Sequence, residues 1–138
     1  VHIFHLAIEG GDLETTLPFY TELLERELGP FEPGLWQDID FWENELTLHQ
    51  TVPRRHKDPD RKRHEVDMGA VCVPHFGIHL SMSQWAYFKN KIEKEYGFLD
   101  EPIIRFEGTD RQQATFFIED PNFNVIEIKS VQGTYYFK

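Results

Sequence analysis

A short pattern occurs twice in this chain, and it constrains the fold more than any other feature. Near the start the chain reads His5-Leu6-Ala7-Ile8; later it reads His75-Phe76-Gly77-Ile78. Both are strand-like runs in which polar and apolar side chains alternate, so each histidine faces away from the bulky apolar residues. Each run leads into a segment of helical spacing and then into further strands. The first helix is expected in "LETTLPFYTELLEREL", with Asp12 before it, Pro18 within it and Gly29-Pro30 ending it. The second is expected in "QWAYFKNKIEKEYG", with Ser83 as N-cap and Gly97 at its end. Strands are expected at 35–42 and 45–51 after the first helix, and at 102–107, 112–119 and 124–130 after the second. The order predicts an α+β chain of two tandem βαβββ modules, about 1–52 and 74–131. A connector spans about 53–73, and a tail covers 132–138.

Composition narrows the function. A net charge of −10 argues against nucleic acid as the main partner. No apolar run approaches the length of a membrane span, so no membrane partner is expected. Cys72 is the lone cysteine, which fits a reducing, cytoplasmic setting and a buried apolar role. No signal-peptide pattern opens the sequence. The connector is the one basic stretch. Six of the 14 Lys and Arg lie between Arg54 and Arg63. In so acidic a chain the reading adopted for it is a solvated, mobile loop, with His56 and His64 part of it.

The chemistry-bearing residues sit on strand faces. His5 lies opposite the apolar face of the first strand. Glu45, Thr47 and His49 share a face opposite Leu46 and Leu48. His75 and His79 lie opposite Phe76, Ile78 and Leu80. Glu127 lies opposite Ile126 and Ile128. Histidine nitrogen and carboxylate oxygen suit Fe(II), Mn, Ni or Zn. A lone polar residue on a strand face is ordinarily just solvent-facing; four at matching places in a repeat point to a metal site. If the two modules pair about a two-fold axis, His5 would meet His75, and His49 would meet Glu127. Trp36, Phe41, Phe106, Phe116 and Phe117 are open to two readings, pocket wall or core. Arg105 and Lys129 are likewise open, anion-binding or surface.

Several runs together resemble one family. They are "FHLAI", the "PFY" of the first helix, "WQDIDFWENELTLHQ", "VPHFGIHL" and "QATFFIEDPNFNVIEIKS". The chain resembles the vicinal oxygen chelate superfamily of glyoxalases, fosfomycin-resistance and bleomycin-binding proteins, epimerases and extradiol dioxygenases, and within it small extradiol-dioxygenase-like proteins. The resemblance implies paired βαβββ modules forming a half-open barrel around a divalent-metal cleft. It also implies a small-molecule substrate with vicinal oxygens, and homodimers are common among such proteins. By matching position it assigns His5, His75 and Glu127 as metal ligands, with Fe(II) the expected metal. It puts His49 where four-ligand members have their fourth ligand. His49 and His79 are otherwise the candidates for proton transfer. Three functions follow as alternatives: an Fe(II) extradiol-type dioxygenase, a four-ligand glyoxalase- or epimerase-like enzyme, or a non-catalytic drug-binding protein. The turn Asp120-Pro121-Asn122-Phe123-Asn124 departs from the family by placing Phe123 where glycine is usual. Asn122 or Asn124 is expected to adopt the left-handed conformation in its stead.

Overall fold

The computed structural model describes residues 1–57 and 60–131. These fall into two compact units. The first comprises residues 1–57 with 120–123, and the second the remaining described residues. The expected tail at 132–138 lies outside the described residues. No helix is long and apolar enough to cross a membrane among the described residues.

In the first unit, β1 (His5–Gly11) leads into α1 (Leu13–Pro18) and a π-helical turn (Phe19–Leu23), then β2 (Glu27–Glu32), β3 (Trp36–Phe41) and β4 (Asn44–Gln50). The sheet order is β1-β4-β3-β2, with β1 and β4 parallel. In the second unit, β7 (Phe76–His79) leads into α2 (Met82–Glu95), then β8 (Asp100–Arg105), β9 (Gln113–Glu119) and β10 (Val125–Val131). The order is β7-β10-β9-β8, again with the first and last strands parallel. The expected βαβββ repeat is therefore present as two sheets of one topology. No backbone ladder joins the two sheets among the described residues.

The first helix is shorter than its spacing predicts. Leu24 and Leu28 continue the helical register in sequence, but Glu25 adopts φ 56 and the chain turns into an edge strand. Pro30 fits there, because an edge strand has N–H positions that need no ladder partner. Leu23 and Leu24 are buried, whereas Leu28 is 51% exposed. At the helix start, Asp12 accepts from the Thr15 hydroxyl at 2.7 Å and makes no side-chain cap. The second helix has a full capping box one turn-edge earlier than expected. Ser81, not Ser83, is its N-cap, with Gln84 reciprocating. Its Trp85, Phe88 and Ile92 are buried, and Trp85 Nε1 donates to the Ile128 carbonyl at 3.0 Å. That side of the sheet also carries Phe116 and Ile118, both fully buried.

The connector does not form a mere loop. It contains a hairpin, β5 (Lys62–Val66) with β6 (Gly69–Val73). Its basic residues serve as anchors. Arg61 pairs with Glu119 at 2.8 Å and Arg63 with Asp100 at 3.3 Å, both on the second sheet. Val71 and Cys72 pack on Phe117 and Val125. The buried apolar role read for Cys72 agrees with this. In the first unit, Arg54 pairs with Glu9 at 2.7 Å.

The Asp120–Asn124 turn also differs in detail from expectation. Phe123 itself adopts the left-handed conformation, at φ 64. Asn122 is occupied elsewhere: buried, it accepts from Arg54 N–H at 2.8 Å and donates to the Glu9 carbonyl at 2.9 Å. Asp120 accepts from the wholly buried Tyr20 hydroxyl at 2.7 Å.

Candidate functional site

In each unit one sheet face packs on the helix and the other carries the polar residues. On the second, the ladder pairs Gly77 with Glu127, Glu127 with Phe117, and Lys129 with both His79 and Thr115. Paired residues share a face, so His79, Glu127, Lys129, Thr115 and Phe117 lie together. His75 precedes β7 by one residue.

His75 and Glu127 meet. Nε2 lies 3.3 Å from Glu127 Oε1, and Glu127 is 7% exposed. His75 Nδ1 stands 2.6 Å from the Cys72 carbonyl. A carbonyl only accepts, so Nδ1 carries a proton and Nε2 is turned toward the carboxylate. Glu127 Oε2 accepts from the Thr115 hydroxyl at 2.6 Å, and Lys129 Nζ lies 3.7 Å from Oε1. The electrostatics follow from these contacts. The hydrogen bond to Glu127 raises the His75 pKa, against the opposing effect of burial. Burial pushes the Glu127 carboxyl up, but hydrogen bonds from His75 and Thr115, with Lys129 nearby, outweigh it and leave the pKa lowered. Burial, then Lys129, lowers the His79 pKa and favours a neutral imidazole.

Two of the expected ligands, His75 and Glu127, come together here, but no group of three His, Cys, Asp or Glu placed to hold a metal ion is found among the described residues. If both atoms bound one ion at about 2.1 Å, a separation of 3.3 Å would give a ligand–metal–ligand angle of about 100°, between octahedral and tetrahedral values. The Cys72 carbonyl on Nδ1 and the Thr115 hydroxyl on Oε2 are the outer partners that orient metal ligands. Lys129 is the discordant group, because its ammonium already balances part of the carboxylate charge.

On the first unit the same face carries different chemistry. Its ladder pairs His5 with Glu45, Ala7 with Thr47 and Glu9 with His49. Aligning His5-Leu6-Ala7-Ile8 on His75-Phe76-Gly77-Ile78 makes Ala7 equivalent to Gly77. Thr47 is then the counterpart of Glu127, and His49 the counterpart of Lys129. The expected matching of His49 with Glu127 is thus off by one same-face step. Thr47 is buried and gives its hydroxyl to Asp38 at 2.6 Å. His49 is exposed. His5 Nδ1 lies 2.6 Å from Glu45 Oε1, with both side chains about half exposed. Glu45 also lines an acidic groove of about 380 Å³ with Asp38, Asp40, Ile3 and Pro30. Sequence reasoning placed Glu45 only as a face-mate of His49 and read Cys72 only as a buried apolar residue, and it passed over Thr115. Thr115 did carry a signal, its parity with Phe117 on β9.

No protein-family model matches the chain, and no curated protein does. Solved structures do. A glyoxalase/bleomycin resistance protein/dioxygenase from Alicyclobacillus acidocaldarius is similar over 99% of this chain and 92% of its own, with 29% identity and a TM-score of 0.72. The chain thus matches structures of the glyoxalase/bleomycin resistance/dioxygenase superfamily over nearly its whole length. Two more distant members show the fold alone. A lactoylglutathione lyase from Agrobacterium tumefaciens has 20% identity and a TM-score of 0.65, covering 94% of this chain and 92% of its own. A fosfomycin resistance protein from Listeria monocytogenes has 10% identity and a TM-score of 0.61, covering 94% and 91%. The superfamily is the vicinal oxygen chelate family that the sequence motifs resemble, and it commonly binds divalent metal.

Proposed function

We propose that the protein is a divalent-metal enzyme of the extradiol-dioxygenase type, acting on a catechol-like small molecule. His5, His75 and Glu127 are its protein ligands, and Fe(II) is its metal. His5 enters on the sequence resemblance; His75 and Glu127 enter also on their geometry. The observation that carries the choice of reaction is Thr47. The first-module counterpart of Glu127 is a hydroxyl committed to Asp38, so that position supplies no fourth carboxylate or imidazole. On a six-coordinate metal, two histidines and one carboxylate would leave three positions, as many as a chelating catechol with dioxygen would need. A four-ligand isomerase leaves two.

When bound, Fe(II) supplies the chelation and oxygen activation that this superfamily chemistry needs. The chain's own groups do the rest. The Cys72 carbonyl fixes the His75 tautomer and keeps Nε2 aimed at the site. His75, Thr115 and Lys129, in that order, favour the ionised form of Glu127 against the effect of burial. His79, kept neutral by burial, accepts the proton of a catechol hydroxyl. His49 is the second proton-transfer candidate.

Protein purified without chelator should hold about one iron per chain and consume oxygen with at least one member of a catechol panel. His79→Ala and His49→Ala should each keep the metal, while turnover falls by roughly 10²–10⁴-fold where the residue moves a proton. Iron-loaded protein inert toward every catechol would end the dioxygenase reading. Lys129 favours a second reading, a small-molecule binder in which the ammonium stands in for the metal. Absence of any metal at full loading would support it.

A further inference from the structure

Among the described residues, the charged groups on the polar face of the second sheet are paired, with one exception. Arg61 is matched by Glu119, Arg63 by Asp100 and Lys129 by Glu127. Arg105 has no carboxylate within ion-pair distance among the described residues. Yet it is 4% exposed. Its Nη1 donates to the Asp67 carbonyl in the turn of the β5–β6 hairpin. The Asp67 carboxylate is turned to the backbone instead, accepting from Phe106 N–H at 2.7 Å. Arg105 Nε is buried with no hydrogen-bond partner. A lysine so placed would shed its proton; a guanidinium cannot, so the charge stays. A buried charge without a counter-ion is costly to keep, and proteins retain one where something else supplies the anion.

Register places Arg105 relative to the metal candidates. It pairs with Gln113, and Thr115, two residues along the same face, pairs with Lys129 and bonds Glu127. Strand spacing puts the Arg105 and Glu127 Cα atoms on the order of 15 Å apart.

We infer that Arg105 is a carboxylate-recognition residue, and that the protein's ligand is an aromatic molecule carrying an aliphatic carboxylate several bonds from its ring. With Nη1 taken by Asp67, the Nε–Nη2 edge is the one left to grip a carboxylate side-on, the bidentate geometry that favours arginine. The side chains that now shut water from Nε yield to the incoming group. The aromatic, vicinal-oxygen half of the ligand rests on the proposed function; the carboxylate half rests on Arg105 alone.

The test separates the two halves. 3-Phenylpropionate and its methyl ester lack vicinal oxygens, so their binding to metal-free protein, read by titration calorimetry, reports on Arg105. The acid should bind about 10- to 100-fold more tightly than the ester, the range of one charge-assisted bidentate contact. Arg105→Met should erase the difference to within twofold, and Arg105→Lys should keep part of it, with circular dichroism showing that each variant is folded. Equal binding of acid and ester to the unaltered protein overturns the inference, whatever the variants do. So does a preference that survives in folded Arg105→Met. The 2,3-dihydroxyphenyl analogue of the acid is then added to metal-loaded protein. If it gains nothing over 3-phenylpropionate, the metal reading fails while the carboxylate site stands.

Discussion

The two modules share a topology and differ in what they do with it. In the first, the polar face is open: His5, Glu45 and His49 are exposed, and the position matching Glu127 is a threonine. In the second, the face is roofed in part by the β5–β6 hairpin, and Glu127 is buried and held by His75, Thr115 and Lys129. The first module has a six-residue helix with a π-helical turn and no side-chain cap; the second has a fourteen-residue helix with a capping box. The contrast implies a division of labour. A pre-organised site needs ligands held by other packed groups, and only the second module supplies that shell. The first carries an exposed histidine beside an acidic groove of its own.

The comparison breaks most sharply at Gly77 and its counterpart Ala7. A Cβ at Gly77 would stand 1.9 Å from the Glu127 carbonyl oxygen, against backbone that cannot swing aside. The first module already tolerates that Cβ, because Ala7 pairs with Thr47 at the same register. Gly77 is therefore required by the close approach of β7 to β10. Gly77→Ala should lose about 4 kcal/mol or more, or fail to fold, because β7 must part from β10. Ala7→Gly should cost about 1 kcal/mol or less. Urea denaturation of both variants measures the gap. Similar costs would mean that the two ladders are not equivalent.

Next in size is the proposed ligand position, Glu127. Glu127→Ala should weaken divalent-metal binding by about 100-fold or more, exceeding the 10–100-fold typical of losing an outer partner. Thr47→Ala should leave metal affinity within about threefold, because its hydroxyl serves Asp38. Metal titration followed by calorimetry compares them. Unchanged affinity in Glu127→Ala would remove it from the ligand set. A large loss in Thr47→Ala would restore a role for the first-module position.

How much of this was legible beforehand depends on period and register. Alternation along a strand fixes a face, so His5, His75 and Glu127 could be placed on polar faces from sequence alone. Alternation does not choose among residues of one parity. Thr47 and His49 point the same way, and only the pairing of β1 with β4 shows which one stands opposite Ala7. The β2 strand was hidden because Leu24 and Leu28 happen to continue helical spacing. The hairpin was hidden because its arginines read as a solvated charge run, and their carboxylate partners, Glu119 and Asp100, lie far along the chain. The left-handed Phe123 ran against the rule that bulky residues avoid that region; the structure spends Asn122 on hydrogen bonds to Arg54 and Glu9 instead.

A third contrast concerns how the units are tied internally. Tyr20, wholly buried, reaches Asp120 across 100 residues of sequence. Tyr20→Phe removes one hydroxyl and leaves a buried carboxylate oxygen without that donor. It should cost about 1–3 kcal/mol. Trp85→Phe removes the donor to the Ile128 carbonyl in the second unit and also leaves a void, so its cost should be at least as large. Chemical denaturation ranks them, and a Tyr20→Phe cost near zero would show that Asp120 finds water instead.

The smallest expected difference is at the two helix starts. Ser81 accepts from Gln84 N–H at 3.2 Å and closes a capping box, so Ser81→Ala leaves that N–H without its protein acceptor. About 1 kcal/mol should be lost. Asp12 occupies the same position before α1 but spends its carboxylate on the Thr15 hydroxyl, while the Asp12 carbonyl accepts from Thr15 and Thr16 N–H at 3.1 and 3.0 Å. Those backbone bonds survive Asp12→Ala, and the lost side-chain bond is exposed and exchangeable with water. The cost should be a few tenths of a kcal/mol. Thermal melts resolve the two if Ser81→Ala shifts Tm by several degrees and Asp12→Ala by about one. The reverse order would mean that α1, short and bent into a π-helical turn, depends on its first residue more than the hydrogen bonds indicate.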